Sequence, residues 1–164
     1  MDEALQLLVD EHKNILKVIA ALTEKCDEEI DKEFFNKAIS FIKNYADKFH
    51  HAKEEDILFK ELGQVEMHCD PTEQMLHEHE LGRNFVKGME EGLASDDEAM
   101  VKENARGYVH LLQEHIFKED NILYPMADEV LSSEKKKEIL EKSQQIRTNF
   151  PDVEKHLEFV NSLD

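Results

Sequence analysis

Apolar residues recur along this chain at steps of three and four, in long stretches separated by short polar breaks, which is the period of amphipathic helices rather than strands. The first predicted helix runs from about Asp2 to Cys26 on Leu5, Leu8, Ile15, Ile19 and Leu22. A second runs from about Lys32 to Leu62, where Gly63 stops it. Asp70 as N-cap, Pro71 at the first helical position and Glu73 in a capping-box place open a third helix that ends near Leu93. Ser95-Asp96-Asp97-Glu98 reads as another capping box and opens a fourth helix to about Asp128, with Pro125 expected to kink its last turn. A weaker helical pattern follows to about Thr148, and Pro151 restarts a short helix through Phe159. The expectation is an all-α fold: an up-down-up-down four-helix bundle over residues 1–130, with a C-terminal helical extension, 131–164, packed on it.

Four of the apolar stripes are interrupted by groups that ordinarily avoid a core. In the fourth helix the stripe is Val101, Ala105, Tyr108, Leu112, His115, Glu119, Ile122 and Met126. The third carries His79 among Met75, Gly82, Val86 and Met89, and the first carries His12 between Leu8 and Ile15. The second helix is apolar on two adjoining faces, so periodicity alone does not choose between His50 with Glu54 and His51 with Glu55.

An internal repeat makes that choice. Phe49-His50-His51-Ala52-Lys53-Glu54-Glu55-Asp56-Ile57-Leu58-Phe59 shares its frame with the stretch Glu114 to Tyr124, which places His50 against His115, 65 residues on. "LVDEH" ending at His12 is echoed by "MLHEH" ending at His79, 67 residues on. Helices one and two therefore repeat as three and four, and His50 and Glu54 face inward with His51 and Glu55 beside them.

Two buried carboxylates without partners would consume most of the stability of a domain this size. No lysine or arginine shares their stripes; Lys53 and Lys118 lie about 100° to the side, where their amines are expected to reach water. A metal resolves the problem. Residues four apart on a helix point the same way, so each His-x-x-x-Glu offers one imidazole and one carboxylate to a common centre. Four imidazoles and two carboxylates make a nitrogen and oxygen site suited to iron, manganese or zinc, and two carboxylates able to bridge suit a dinuclear centre. Glu11 and Glu78 are read as solvated or outer-shell groups, and Tyr45 and Tyr108 as core packing. His51, His68, His77, His110 and His156 are read as surface or satisfied core residues.

Composition narrows the partners. A net charge of -18 over 164 residues repels phosphate backbones and anionic lipid, so neither nucleic acid nor membrane is expected. No signal-like or membrane-spanning run is present, and the expected compartment is the cytoplasm. Cys26 and Cys69 form no CxxC pair and read as reduced bystanders.

The blocks "DEH" at His12, "FHHAKEEDILF", "EHELGR" at His79 and "EHIFKEDNILYP" resemble, in order, the four signature blocks of hemerythrin-like proteins of the HHE cation-binding class, over about Leu5 to Ala127. The resemblance implies a four-helix bundle around two iron ions in an oxo- or hydroxo-bridged, non-haem di-iron centre. Its ligands would be His12, His50, Glu54, His79, His115 and Glu119, with Glu54 and Glu119 as bridges and zinc or manganese as substitute metals. Two departures stand out. The oxygen carriers have a fifth histidine one turn from the third-helix ligand, where this chain has Met75 and Arg83. Their last carboxylate is an aspartate five residues after its histidine, where this chain has Glu119 at four. Both argue against oxygen carriage and for a labile position. The pattern is also similar to di-iron proteins of iron-sulfur repair, whose cysteine-bearing N-terminal domain is not expected here.

The expected function is binding or sensing of a small diatomic or peroxide (O2, NO or H2O2) at this centre, with Met75, Phe49, Ile57 and Ile122 walling out water. An oxidoreductase acting on these ligands is the enzymatic form of the reading, but the sequence names no catalytic residue and no electron-donor partner. The rival is iron storage or donation, or a metal-dependent regulatory module without small-molecule chemistry.

Overall fold

The computed structural model describes residues 1–163, and among them every regular element is helical. The first helix spans Glu3–Lys25, capped by Asp2, whose side chain accepts from the Ala4 N–H. The second is a continuous rod that is α-helical over Lys32–Phe41, π-helical over Ile42–His51 and Glu54–Leu58, and α-helical again over Phe59–Leu62. The third spans Thr72–Ala94. The fourth is α-helical over Glu98–Lys118, π-helical over Glu119–Leu123 and α-helical over Tyr124–Val130. A fifth spans Ser133–Thr148 and a sixth Val153–Asn161.

The helices form a bundle whose core is split in two. One apolar cluster includes Ile15, Ile19, Phe35, Phe41, Phe49, Tyr108 and Leu112. The other includes Leu5, Leu8, Ile57, Leu58, Met75, Leu123 and Tyr124. The buried histidines and carboxylates lie along the chain between these clusters, as a polar belt sealed on both sides. The last two helices complete both: Ile139 joins the second cluster, and Val153 and Val160 join the first, with Phe159 about one ring's width from Phe34 and Phe41.

Three sequence expectations shift. The fourth helix is capped by Asp97, which accepts from the Met100 N–H, and not by Ser95. Ser95 instead turns back onto the Glu91 carbonyl, and Asp96 takes a positive φ of 55° to close the turn. The third helix begins at Thr72 with Pro71, and not Asp70, in the N-cap place; Asp70 lies one residue further out and accepts from the Thr72 N–H.

The second shift concerns the apolar stripe beyond Glu119. Ile122 is 50% exposed, and Leu123, Tyr124 and Ala127 are buried instead, so Ile122 does not wall the site. A π-turn lies at this point: the Tyr124 N–H bonds the Glu119 carbonyl five residues back, which inserts one residue ahead of the buried Tyr124. Phe59 does the same to Glu54 in the second helix. Pro125 is not the origin, because Lys60 stands in its equivalent place and the turn forms there too.

The third shift is Lys53. Its side chain is 1% exposed and is paired with Glu11, so it does not reach water. Lys118 makes the matching pair with Glu78.

Candidate metal centre

Each of the four helices delivers the residues its stripe requires, and His12, His50, Glu54, His79, His115 and Glu119 are all 2% exposed or less. Their polar atoms converge. Glu119 Oε1 lies 3.2 Å from His12 Nε2 and 3.1 Å from His115 Nε2, and Glu54 Oε1 lies 3.4 Å from His79 Nε2 and 3.7 Å from His50 Nε2. Two groups of potential ligand atoms, each mutually within 4.8 Å, result: His12, His50, Glu54 and Glu119, and His51, Glu54, His79 and His115. Glu54 belongs to both, and Glu119 also reaches His115 of the second.

The outward nitrogens are held just as systematically. His50 Nδ1 is 2.9 Å from Glu11 Oε1, and His115 Nδ1 is 2.8 Å from Glu78 Oε1. His12 Nδ1 is 2.7 Å from Asp120 Oδ1, and His79 Nδ1 is 2.6 Å from Glu55 Oε2. A carboxylate only accepts, so Nδ1 carries a hydrogen in all four, and Nε2 faces inward as the atom left to take a proton or a metal. These bonds tie the first helix to the second, the third to the fourth, the first to the fourth and the third to the second. They follow the internal repeat residue for residue. Glu11 and Glu78 are thus outer-shell groups; Asp120 and Glu55, the second acids of each repeated block, complete the set.

Such a centre is unstable without a cation. His50 Nε2, Glu54 Oε1 and both Glu119 carboxylate oxygens are buried without a hydrogen-bond partner, and His79 Nε2 faces His115 Nε2 at 3.2 Å. Lys53, Lys118 and Arg83 offset three of the six carboxylates that touch the four imidazoles, namely Glu11, Glu78 and Glu55. A bound metal fits this donor set, and the orphaned atoms are the ones it would satisfy.

Protons take that place when no metal is bound. Burial pulls the His12 pKa down, but its bonds to Asp120 and Glu119 outweigh it and raise it to about 9. Burial is likewise outweighed at His79 by Glu54 and Glu55, giving about 9, and at His115 by Glu119 and Glu78, giving about 10. At His50 burial wins, helped by the nearby His12 and Lys53 charges, and the imidazole stays neutral. Burial opposes ionisation of Glu119, but the His115 charge and its bonds hold the carboxyl well below its usual range.

Two residues belong to the site that the sequence reading left out. His51, read as a satisfied core residue, is buried, stacks on His79 with ring centroids 3.8 Å apart, and joins the second ligand group. The signal was the doubly apolar second helix, which buries both of its adjoining faces. Tyr124 donates its hydroxyl to Glu54 Oε2 at 2.7 Å and sits 3.3 Å from His12 Nε2. It occupies the aromatic place that ends the repeated frame.

The class is therefore a helical protein with a buried metal site of imidazole and carboxylate donors. A family model for the hemerythrin HHE cation binding domain matches residues 3–127, and the chain belongs to that family. Comparisons with curated proteins and with solved structures return no match. Among the described residues no helix is long and apolar enough to cross a membrane.

Proposed function

We propose that this chain holds a pair of iron ions and takes up a small diatomic or peroxide (O2, NO or H2O2) beside them. His12, His50, Glu54 and Glu119 would hold one ion and His79, His115, Glu54 and Glu119 the other, so that both glutamates bridge. What carries the reading is the set of orphaned donors. His50 Nε2, Glu54 Oε1 and both Glu119 oxygens are buried and unpartnered within the first group of potential ligands, and Glu54 is shared with the second.

A bound ferrous pair supplies electron density to a diatomic or peroxide and an open place to receive it. The rest falls to the protein. The four carboxylates on Nδ1 fix each imidazole in one tautomer and one rotation, which raises the basicity of the inward nitrogen. The two apolar clusters exclude water and strengthen every electrostatic contact between them. Tyr124, bonded to Glu54, limits how that carboxylate can turn. An up-down-up-down course of the first four helices, in the cytoplasm, is the setting we infer, supported by their short connections and by the acidic composition.

The test is the absorbance spectrum of reduced, iron-loaded protein before and after O2 or NO. A reversible or rapidly decaying band is expected in the wild type, and His50→Ala and His115→Ala should lose metal and band together. Metal that passes to a chelator without any such band would overturn small-molecule binding in favour of iron storage or donation.

A further inference from the structure

The internal repeat makes the two halves of the centre alike in their imidazoles and unlike in what surrounds them. Where the first helix has Ile15, 1% exposed and packed in the core, the third has Gly82 in the equivalent place, 67 residues on. Where the fourth helix has Tyr124 closing on Glu54 and His12, the second has Phe59, which brings no hydroxyl to His79. The missing side chain leaves room. A cavity of about 130 Å³ lies beside the His79 and His115 half, walled by His51, His79, His115, Gly82, Tyr108 and Leu112. That space suits a ligand of a few heavy atoms and is far below the volume of an ordinary organic-ligand pocket.

Tyr108 supplies the second observation. It is 2% exposed, lines this cavity, and its hydroxyl has no hydrogen-bond partner. An unpaired buried hydroxyl is destabilising, so a tyrosine retained here for packing alone would be better replaced by phenylalanine. Its charged form is further suppressed by burial and by Asp47, so the group is a donor. On the opposite half Tyr124 lies against His12, its ring stacked at 5.5 Å and its hydroxyl 3.3 Å from Nε2.

We infer that the small ligand binds on the His79 and His115 half only, in the cavity opened by Gly82, with the Tyr108 hydroxyl donating a hydrogen bond to the ligand's accepting atom. This assignment rests on the ligand-binding reading above and adds to it which half is open and which side chain recognises the ligand. Tyr108 is a binding residue and not a metal ligand. His51, stacked on His79 and adjacent to His50 on the second helix, forms the inner wall beside that imidazole.

The experiment uses the iron-loaded full chain, with sodium azide as the probe, titrated by absorbance while metal content and melting temperature are measured on the same samples. Tyr108→Phe is expected to keep its iron and to melt no lower than the wild type, because it loses an unsatisfied hydroxyl, yet to bind azide roughly three- to tenfold more weakly. Gly82→Val is expected to keep its iron and lose azide binding. A Cβ at Gly82 would rest 3.6 Å from Tyr108 and 3.8 Å from Leu111 and Leu112, which is ordinary contact, so the added methyls enter the cavity. If Gly82→Val does not fold, Tyr108→Phe decides alone. Azide titrations of Tyr108→Phe indistinguishable from wild type would overturn the assignment while leaving the metal centre standing. Wild-type protein that holds iron but gives no azide response would overturn ligand binding and this assignment together. Wild-type protein that takes up no metal would overturn the metal centre itself.

Discussion

Glu11 Oε1 lies 2.9 Å from His50 Nδ1, and the same bond recurs between Glu78 and His115 at 2.8 Å. In each case the glutamate immediately precedes one inward histidine and orients another on the neighbouring helix. The donor set is therefore not assembled helix by helix; each imidazole is aimed by a carboxylate from elsewhere in the bundle.

Removing one of these carboxylates should weaken metal binding without removing a ligand. Glu78→Ala and Glu55→Ala are each expected to lower metal affinity about 10- to 100-fold. Competition against a chelator of known affinity checks this. Losses no larger than those of Glu73→Ala, a change at an exposed glutamate, would deny the outer-shell role.

Metal uptake should release protons. At pH 7 the metal-free His12, His79 and His115, with pKa values of about 9, 9 and 10, are protonated, and each must lose its proton to present Nε2 to a metal. Apparent affinity should accordingly rise with pH up to about pH 10 and fall on acidification. Calorimetric titration at pH 7 in buffers of different ionisation enthalpy reads the released protons directly. A heat independent of buffer would contradict the account.

Chelation should destabilise the fold. Metal present at a thousandfold excess over its dissociation constant stabilises the native state by about 4 kcal/mol, which for a chain of this size is a melting shift of roughly 10 °C. Thermal denaturation before and after chelation measures it. An unchanged melting temperature would mean that the polar belt pairs internally and needs no metal.

The close packing of the third and fourth helices predicts a stability effect remote from the metal. A Cβ at Gly92 would lie 2.9 Å from the Val101 backbone nitrogen, where only a backbone shift can relieve it. Gly92→Ala should cost about 1–3 kcal/mol, against little or nothing for Gly82→Ala. Urea denaturation of the two variants would show the difference, and equal midpoints would contradict it.

The stripes in the sequence made the burial of these four histidines and two glutamates legible because each replaces an apolar residue in an otherwise regular pattern. The π-turns were not legible. Ile57-Leu58-Phe59 and Ile122-Leu123-Tyr124 are apolar at three successive places, so the sequence satisfies either register, and only the chain's backbone bonds from Phe59 to Glu54 and from Tyr124 to Glu119 decide between them. In that register Phe59 and Tyr124 are both buried, whereas Ile57 is buried and Ile122 exposed. Lys53 was misplaced for a related reason: its helix is buried over a wider arc than one stripe, so a residue to the side of the centre is still inside. His51 was lost in the same arc. The cap at Ser95 was off by two because Ser95, Asp96 and Asp97 all have capping side chains, and the choice was made by the turn at Asp96.

The most direct test of the central claim is the number and identity of metal ions per chain, measured by mass spectrometry on protein purified without an affinity-tag metal from iron-supplemented culture. Two irons per chain are predicted, one for each group of donors that Glu54 joins. One iron, zinc alone or no metal would contradict a di-iron centre.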